Sequence, residues 1–265
     1  MSTGIHFAND LLPDVRLEPT ARRIRAVVTD EAGVGQTLAD TTGAYVLFER
    51  DHLPTYYLPH TALCEGLLVE SDHHTFCPRK GTASYFHVQA GDRLIENAIW
   101  YYPEPMEHVP ELADLVALYW DSVDHWFEED EEVFKHARDP YHRVDALRSS
   151  RHIQIVLGGE IVADTTNPTL LFETGLPTRY YIPEGDVRRE LLVSTDTTSV
   201  CPYKGTASYW SLTVDNRTVT DAVWSYQRPI AQCPTIAGLL CFFDERIDAV
   251  IVDGVTQPKP VTPWS

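Results

Sequence analysis

Lysine is scarce in this chain of 265 residues: four stand against seventeen arginines. Positive charge as a whole is short, with 21 Lys and Arg facing 39 Asp and Glu for a formal net charge of −18. So acidic a chain lacks the Lys/Arg surface that a phosphate backbone or an anionic leaflet requires. No nucleic-acid polymer and no membrane is therefore expected as the main partner, although one small anion at a local basic spot stays open. No apolar run approaches the length of a membrane span. The opening MSTGIHFANDLLPDVRLEP shows no basic stretch followed by an apolar one, so a cytoplasmic location is expected. Cysteine is sparse too. Cys64, Cys77, Cys201, Cys233 and Cys241 are odd in number and form no C-x-x-C pair, which suits neither a disulfide framework nor a structural zinc site. Free thiols in a reducing compartment are expected. No G-x-G-x-x-G or Walker loop occurs, and no cofactor or metal is expected.

What the chain does have is a repeat. CPRKGTASYF at 77–86 returns as CPYKGTASYW at 201–210. A shift of 124 residues also superposes ADTT at 39–42 on 163–166, LFE at 47–49 on 171–173, YYLP at 56–59 on YYIP at 180–183, and LLV at 67–69 on 191–193. Each copy is long enough to hold its own core, so this is a duplicated domain rather than a solenoid. The expected layout is an N-terminal extension at 1–21, a first repeat at 22–128, a charged linker at 129–150, a second repeat at 151–254 and a Pro-rich tail at 255–265.

Both copies read as mainly β. Runs rich in Val, Ile, Tyr and Thr end at turn residues, and IQIVLGGEIVAD marks a Gly-Gly hairpin. PELAD suggests a short helical turn. LVALYW and VDHWFE suggest a terminal strand pair, since their counterparts GLLCFF and IDAVIV favour β.

The frame L-F-E, Y-Y-x-P, C-P-x-K-G-T-A-S-Y, A-x-W-x-Y resembles the family called Domain of Unknown Function 427, also filed as a nucleotidyltransferase-type domain. The resemblance spans roughly 22–128 and 151–254. It implies two tandem β-tent (Mss4-like) domains, each a small bent sheet or barrel. The zinc knuckles of other β-tent proteins are missing here, so neither zinc nor their activities follow.

Chemistry shared by both copies must use residues present in both. All eleven histidines lie at or before His152, so the second copy proper, from about residue 153, has none and a shared mechanism cannot rest on His. His73 and His74 face Thr197 and Thr198 and read either as a solvated loop, since no fixed ligand spacing accompanies them, or as a metal ligand or base added to the first copy alone. Lys80 and Lys204 are half of all the lysines. Each offers a compact ammonium able to bind an anion or form a Schiff base, or alternatively a structural ion pair with Glu49 or Glu173. Cys77 and Cys201 read either as small buried hydrophobes or as thiols activated by the nearby ammonium. Trp100 with Tyr102, and Trp224 with Tyr226, follow an Ala at two-residue spacing. They suggest one wall of a pocket or ordinary core. Tyr57, Tyr85, Tyr181 and Tyr209 add phenols, and Thr82, Ser84, Thr206 and Ser208 add polar groups at an apolar mouth.

The expected function is one small-molecule site per repeat, with Cys77, Lys80, Glu49, Cys201, Lys204 and Glu173 as its reactive groups. The partners expected are a ligand of unspecified identity and a second copy in a homodimer. An enzyme, a nucleotidyltransferase and a non-enzymatic interaction module all remain open.

Overall fold

Short β-forming runs punctuated by turns favour many brief antiparallel strands, and that is what the chain builds. The computed structural model describes residues 14–50 and 52–262 and divides between Asp139 and Pro140 into two units. The last residues of the tail, 263–265, and most of the expected N-terminal extension lie outside the described residues. Among the described residues, every helical segment is a 3-10 turn.

The first unit holds β1 (Val15–Pro19), β2 (Ile24–Thr29), β3 (Gly35–Thr41), β4 (Tyr45–Glu49), β5 (Thr55–Pro59), β6 (Leu68–Cys77), β7 (Gly81–Ala90), β8 (Arg93–Tyr101), β9 (Leu115–Leu118), β10 (His125–Glu128) and β11 (Glu131–Val133). They form a seven-stranded sheet, β1-β4-β5-β9-β8-β7-β6, and a four-stranded sheet, β11-β10-β2-β3. Both sheets are open, with no closed barrel.

The second unit repeats the plan. Its strands are β12 (Val144–Arg148), β13 (Ile153–Leu157), β14 (Glu160–Thr165), β15 (Thr169–Glu173), β16 (Arg179–Ile182), β17 (Leu192–Cys201), β18 (Gly205–Val214), β19 (Arg217–Ser225), β20 (Leu240–Phe242), β21 (Ala249–Val252) and β22 (Val255–Thr256). They order as β12-β15-β16-β20-β19-β18-β17 and β14-β13-β21-β22.

Each unit has two cores because its large sheet is covered on both faces. Strand β9 is buried at all four positions, so it reads as an unbroken apolar run rather than an alternating one. Val116 and Leu118 join Ile24, Leu38, Leu58 and Ile99 between the two sheets. Leu115 and Ala117 join Leu47, Tyr57, Ala83 and Tyr102 on the opposite face, under Val109 and Leu112 of the segment after β8. The second unit has the same pair of cores, the smaller one gathering Leu171, Tyr181, Ala207, Trp224, Tyr226 and Ile236.

PELAD is a 3-10 turn, as its sequence suggests. The Gly-Gly hairpin forms too, with Gly158 and Gly159 at φ 63° and 81°, the left-handed geometry of a two-residue hairpin. LVALYW and VDHWFE do not pair. β9 lies between β5 and β8 while β10 pairs with β2 and β11. The 3-10 turn Trp120–Ser122 carries the chain from one sheet to the other.

The stretch 129–150 contains strands β11 and β12 rather than a bare linker. β12 matches β1: Val144 lies opposite Glu173 as Val15 lies opposite Glu49. The 124-residue register hides this match because the β2–β3 loop is longer than its counterpart. There the Asp30 carboxylate accepts the amides of Ala32 and Val34. The Pro-rich tail opens as β22 against β21, so it too begins inside the fold.

Candidate functional site

The repeated decapeptide forms the β6–β7 and β17–β18 hairpins. The amide of Lys80 donates to the Cys77 carbonyl at 3.2 Å, and that of Lys204 to Cys201 at 3.3 Å. Gly81 and Gly205 follow with φ of 111° and 103°. A side chain there is disfavoured on a second ground as well: a Cβ would lie 3.0 Å from the Glu104 carbonyl oxygen, or 3.3 Å from that of Arg228. These glycines let the segment after β8 or β19 cross the turn closely, with the Met106 amide donating to Lys80 O and the Ile230 amide to Lys204 O.

That crossing seals the lysine side chain. Lys80 and Lys204 are buried, and each Nζ donates to the carboxylate closing the second strand of its sheet, Glu49 or Glu173, at 2.5 Å. The ion pair foreseen as one alternative is therefore present in both units. Each carboxylate has one further cationic or imidazole partner, and here the copies differ. Arg79 Nη1 reaches Glu49 at 3.3 Å, whereas His142 Nε2 meets Glu173 at 3.0 Å and stacks on Tyr203 at 4.1 Å. Burial pushes the Glu49 carboxyl up, but Lys80 and Arg79 outweigh it and hold it below its ordinary value. Burial on Glu173 is likewise outweighed by His142 and Lys204.

The aromatic residues pack in the small core of each unit beside the Lys–Glu pair. Trp100 Nε1 donates to Tyr57 Oη, and Trp224 Nε1 to Tyr181 Oη, both at 3.2 Å with the rings edge to face. Lys80 Nζ stands 5.9 Å from the Tyr102 ring centre. Burial drives the phenols of Tyr57, Tyr102, Tyr181 and Tyr226 far upward, so they are neutral groups and not bases. Tyr85 and Tyr209 meet the hydroxyls of Thr75 and Ser199 at 2.7 and 2.6 Å. Cys77 and Cys201 are half-buried against the same small cores.

Other expected members lie elsewhere. Thr82 and Thr206 are exposed, and Ser84 and Ser208 half-buried. Alternation turns all four away from Ala83, Tyr85 and Ala207, so they leave the Lys–Glu face. Ala98 and Ala222 also leave it. Their strands bulge at Asn97 and Asp221, whose φ values are 51° and 49°, and both alanines join the core between the sheets. His73 and His74 lie in strand β6 rather than in a loop, both exposed, with the His73 ring 4.7 Å from that of Tyr85.

His142 is the residue that sequence reasoning missed. Counting histidines from residue 153 assigned it to the linker, but it belongs to the second unit. The match of VDALR to VRLEP, once the longer first hairpin is allowed for, is the signal that recovers it.

The fold and the repeated hairpin define a tandem, mainly β protein with the same buried Lys–Glu pair in each half. The chain belongs to the family described as Domain of unknown function (DUF427), whose model matches residues 16–129 and again 145–253. No curated protein matches the chain.

Proposed function

We propose that each unit carries one small-molecule site, built on Lys80–Glu49 with Cys77 in the first unit and on Lys204–Glu173 with Cys201 in the second, beside the Tyr–Trp core. The observation that carries this reading is the recurrence, in both units, of an ammonium, a carboxylate, a half-buried thiol and packed aromatic residues at one hairpin. A core needs no buried charge, and well-packed apolar residues of similar volume are often at least as stable. The ligand class is a small polar metabolite with an anionic or carbonyl group. That group competes with the glutamate for the ammonium, while the neutral phenols add hydrogen bonds and apolar contact.

The family's label favours a second reading, nucleotidyl transfer. Against it, each shared cluster offers one carboxylate, already engaged by lysine, where Mg²⁺-dependent transfer ordinarily uses two. A thermal-shift screen of nucleotides with Mg²⁺ and of small carboxylates, carbonyl compounds and phosphates separates the readings. Stabilisation by metal-free metabolites that disappears in a Lys80→Met/Lys204→Met variant supports the first. Stabilisation by nucleotide only with Mg²⁺ supports the second. A response that the double variant leaves unchanged removes the lysines from the site.

A further inference from the structure

The two units diverge sharply at one place away from the hairpins. In the first unit, Tyr56 packs against Trp120 and Trp126, whose rings stack at 5.1 Å, and its hydroxyl donates to Glu128 at 2.6 Å. The corresponding positions of the second unit carry Tyr180, Asp244 and Val250. Two indoles are thus replaced by an acid and a valine. The space they fill in the first unit becomes a cavity of about 160 Å³ in the second.

Asp244 and Tyr180 line this cavity beside Val250 and Thr178. The chain after β22 closes one side of it through Pro258, Lys259 and Pro260. Thr262 ties that chain down by donating to Glu245 at 2.7 Å.

The acid at this cavity has little to bind. Arg179 gives its hydrogen bonds to Glu245, at 2.9 and 2.6 Å, and comes only to 3.7 Å from Asp244. Asp244 is 8% exposed, and the donor facing it is its own backbone amide. A buried carboxylate whose ion-pair partner stands at 3.7 Å and gives its hydrogen bonds elsewhere is incompletely compensated, and one beside a cavity with proline and phenol walls is suited to a cation carrying N–H donors and a short apolar body. The chain's net charge of −18 raises the local concentration of such cations.

We propose that this cavity, present in the second unit and filled by tryptophan in the first, binds a small organic monocation of the alkylammonium or amidinium class, with Asp244 as its acceptor and Tyr180 and the prolines around its carbon part. The site is separate from the hairpin clusters and stands whether or not they bind a ligand. The charged and titratable groups around Asp244 are Arg179, which binds Glu245 and stands 3.7 Å from Asp244, Glu245 itself, the buried Cys241 thiol, the Tyr180 phenol and Lys259 in the cavity lining. Burial is the main cause raising the Asp244 carboxyl, to about 7, so a bound cation displaces a proton below that value and binds more tightly above it.

Calorimetry on the full chain tests this with n-butylammonium and acetamidinium chlorides, against n-butanol and butyrate. The expected result is saturable binding of at least one cation. It should strengthen as pH rises through about 7, and weaken at least about tenfold in Asp244→Asn. Asparagine keeps the shape of aspartate, and the pH dependence in the unaltered protein gives an independent reading should the variant fail to fold. No saturable binding of either cation, equal binding of butanol, or an affinity indifferent to both pH and Asp244→Asn overturns the proposal.

Discussion

Lys80 and Lys204 each have a single carboxylate partner at hydrogen-bond distance, so the cost of losing one is set by the glutamate left behind. Removing one partner of a buried pair costs about 3–5 kcal/mol, and less where a second partner remains. Lys204→Met leaves Glu173 with His142, and Lys80→Met leaves Glu49 with Arg79. Each substitution should lower stability by about 1–3 kcal/mol at neutral pH, measured by urea denaturation. Adding Glu173→Leu to Lys204→Met should restore most of the loss; a double variant weaker than the single one would show that the pair is not the cause. The pH dependence follows from the depressed carboxyls. Their contribution is complete above the ordinary glutamate value of about 4.3 and is lost as pH falls through the lower folded value, so both Lys→Met penalties should shrink on acidification. Asp244 has the opposite sign. Its carboxyl is raised to about 7, so its burial works against the fold increasingly as pH rises from about 4. Asp244→Asn should therefore stabilise the protein at pH 8, on the order of a few kcal/mol, with little effect at pH 4. A gain that is equal at both pH values would disconnect it from titration.

At the scale of the element, the hairpin turns set where the lysines point. Gly81 and Gly205 need both a left-handed backbone and the absence of a Cβ, so alanine carries strain and a clash together. Gly81→Ala should cost more than about 1 kcal/mol. Gly205→Ala should cost somewhat less, because its nearest carbonyl lies 3.3 rather than 3.0 Å away. Thermal denaturation of the two variants ranks them, and the reverse order would mean that the crossing segment yields more easily in the first unit. The glycines were legible in the sequence as turn residues. Their second role was not, since the carbonyls that crowd them lie 23 residues further along in each copy.

For the whole molecule, the division between Asp139 and Pro140 gives each unit its own two cores. A fragment from Pro140 to the C-terminus should fold cooperatively, as judged by calorimetric unfolding. A fragment beginning at Arg151 loses β12, the strand paired along β15, together with His142. It should unfold at a lower temperature or fail to fold. Equal melting of the two fragments would show β12 to be dispensable. No helix among the described residues is long and apolar enough to cross a membrane.

The duplication, the mainly β character and the place of the special hairpin follow from sequence alone, because identity between copies and two-residue alternation are local properties of the chain. The pairing of Lys80 with Glu49 was legible as one alternative, since both recur in each copy. The further partners, Arg79 of Glu49 and His142 of Glu173, were not, nor was the divergence of Thr82 and Ser84 from the lysine face as members of one site. Tertiary structure decided those points, and it alone set Asp244 beside Tyr180 and the returning tail. The physical reason is that burial, and with it the charge state of a carboxyl, depends on neighbours brought together by sheet order from distant parts of the chain.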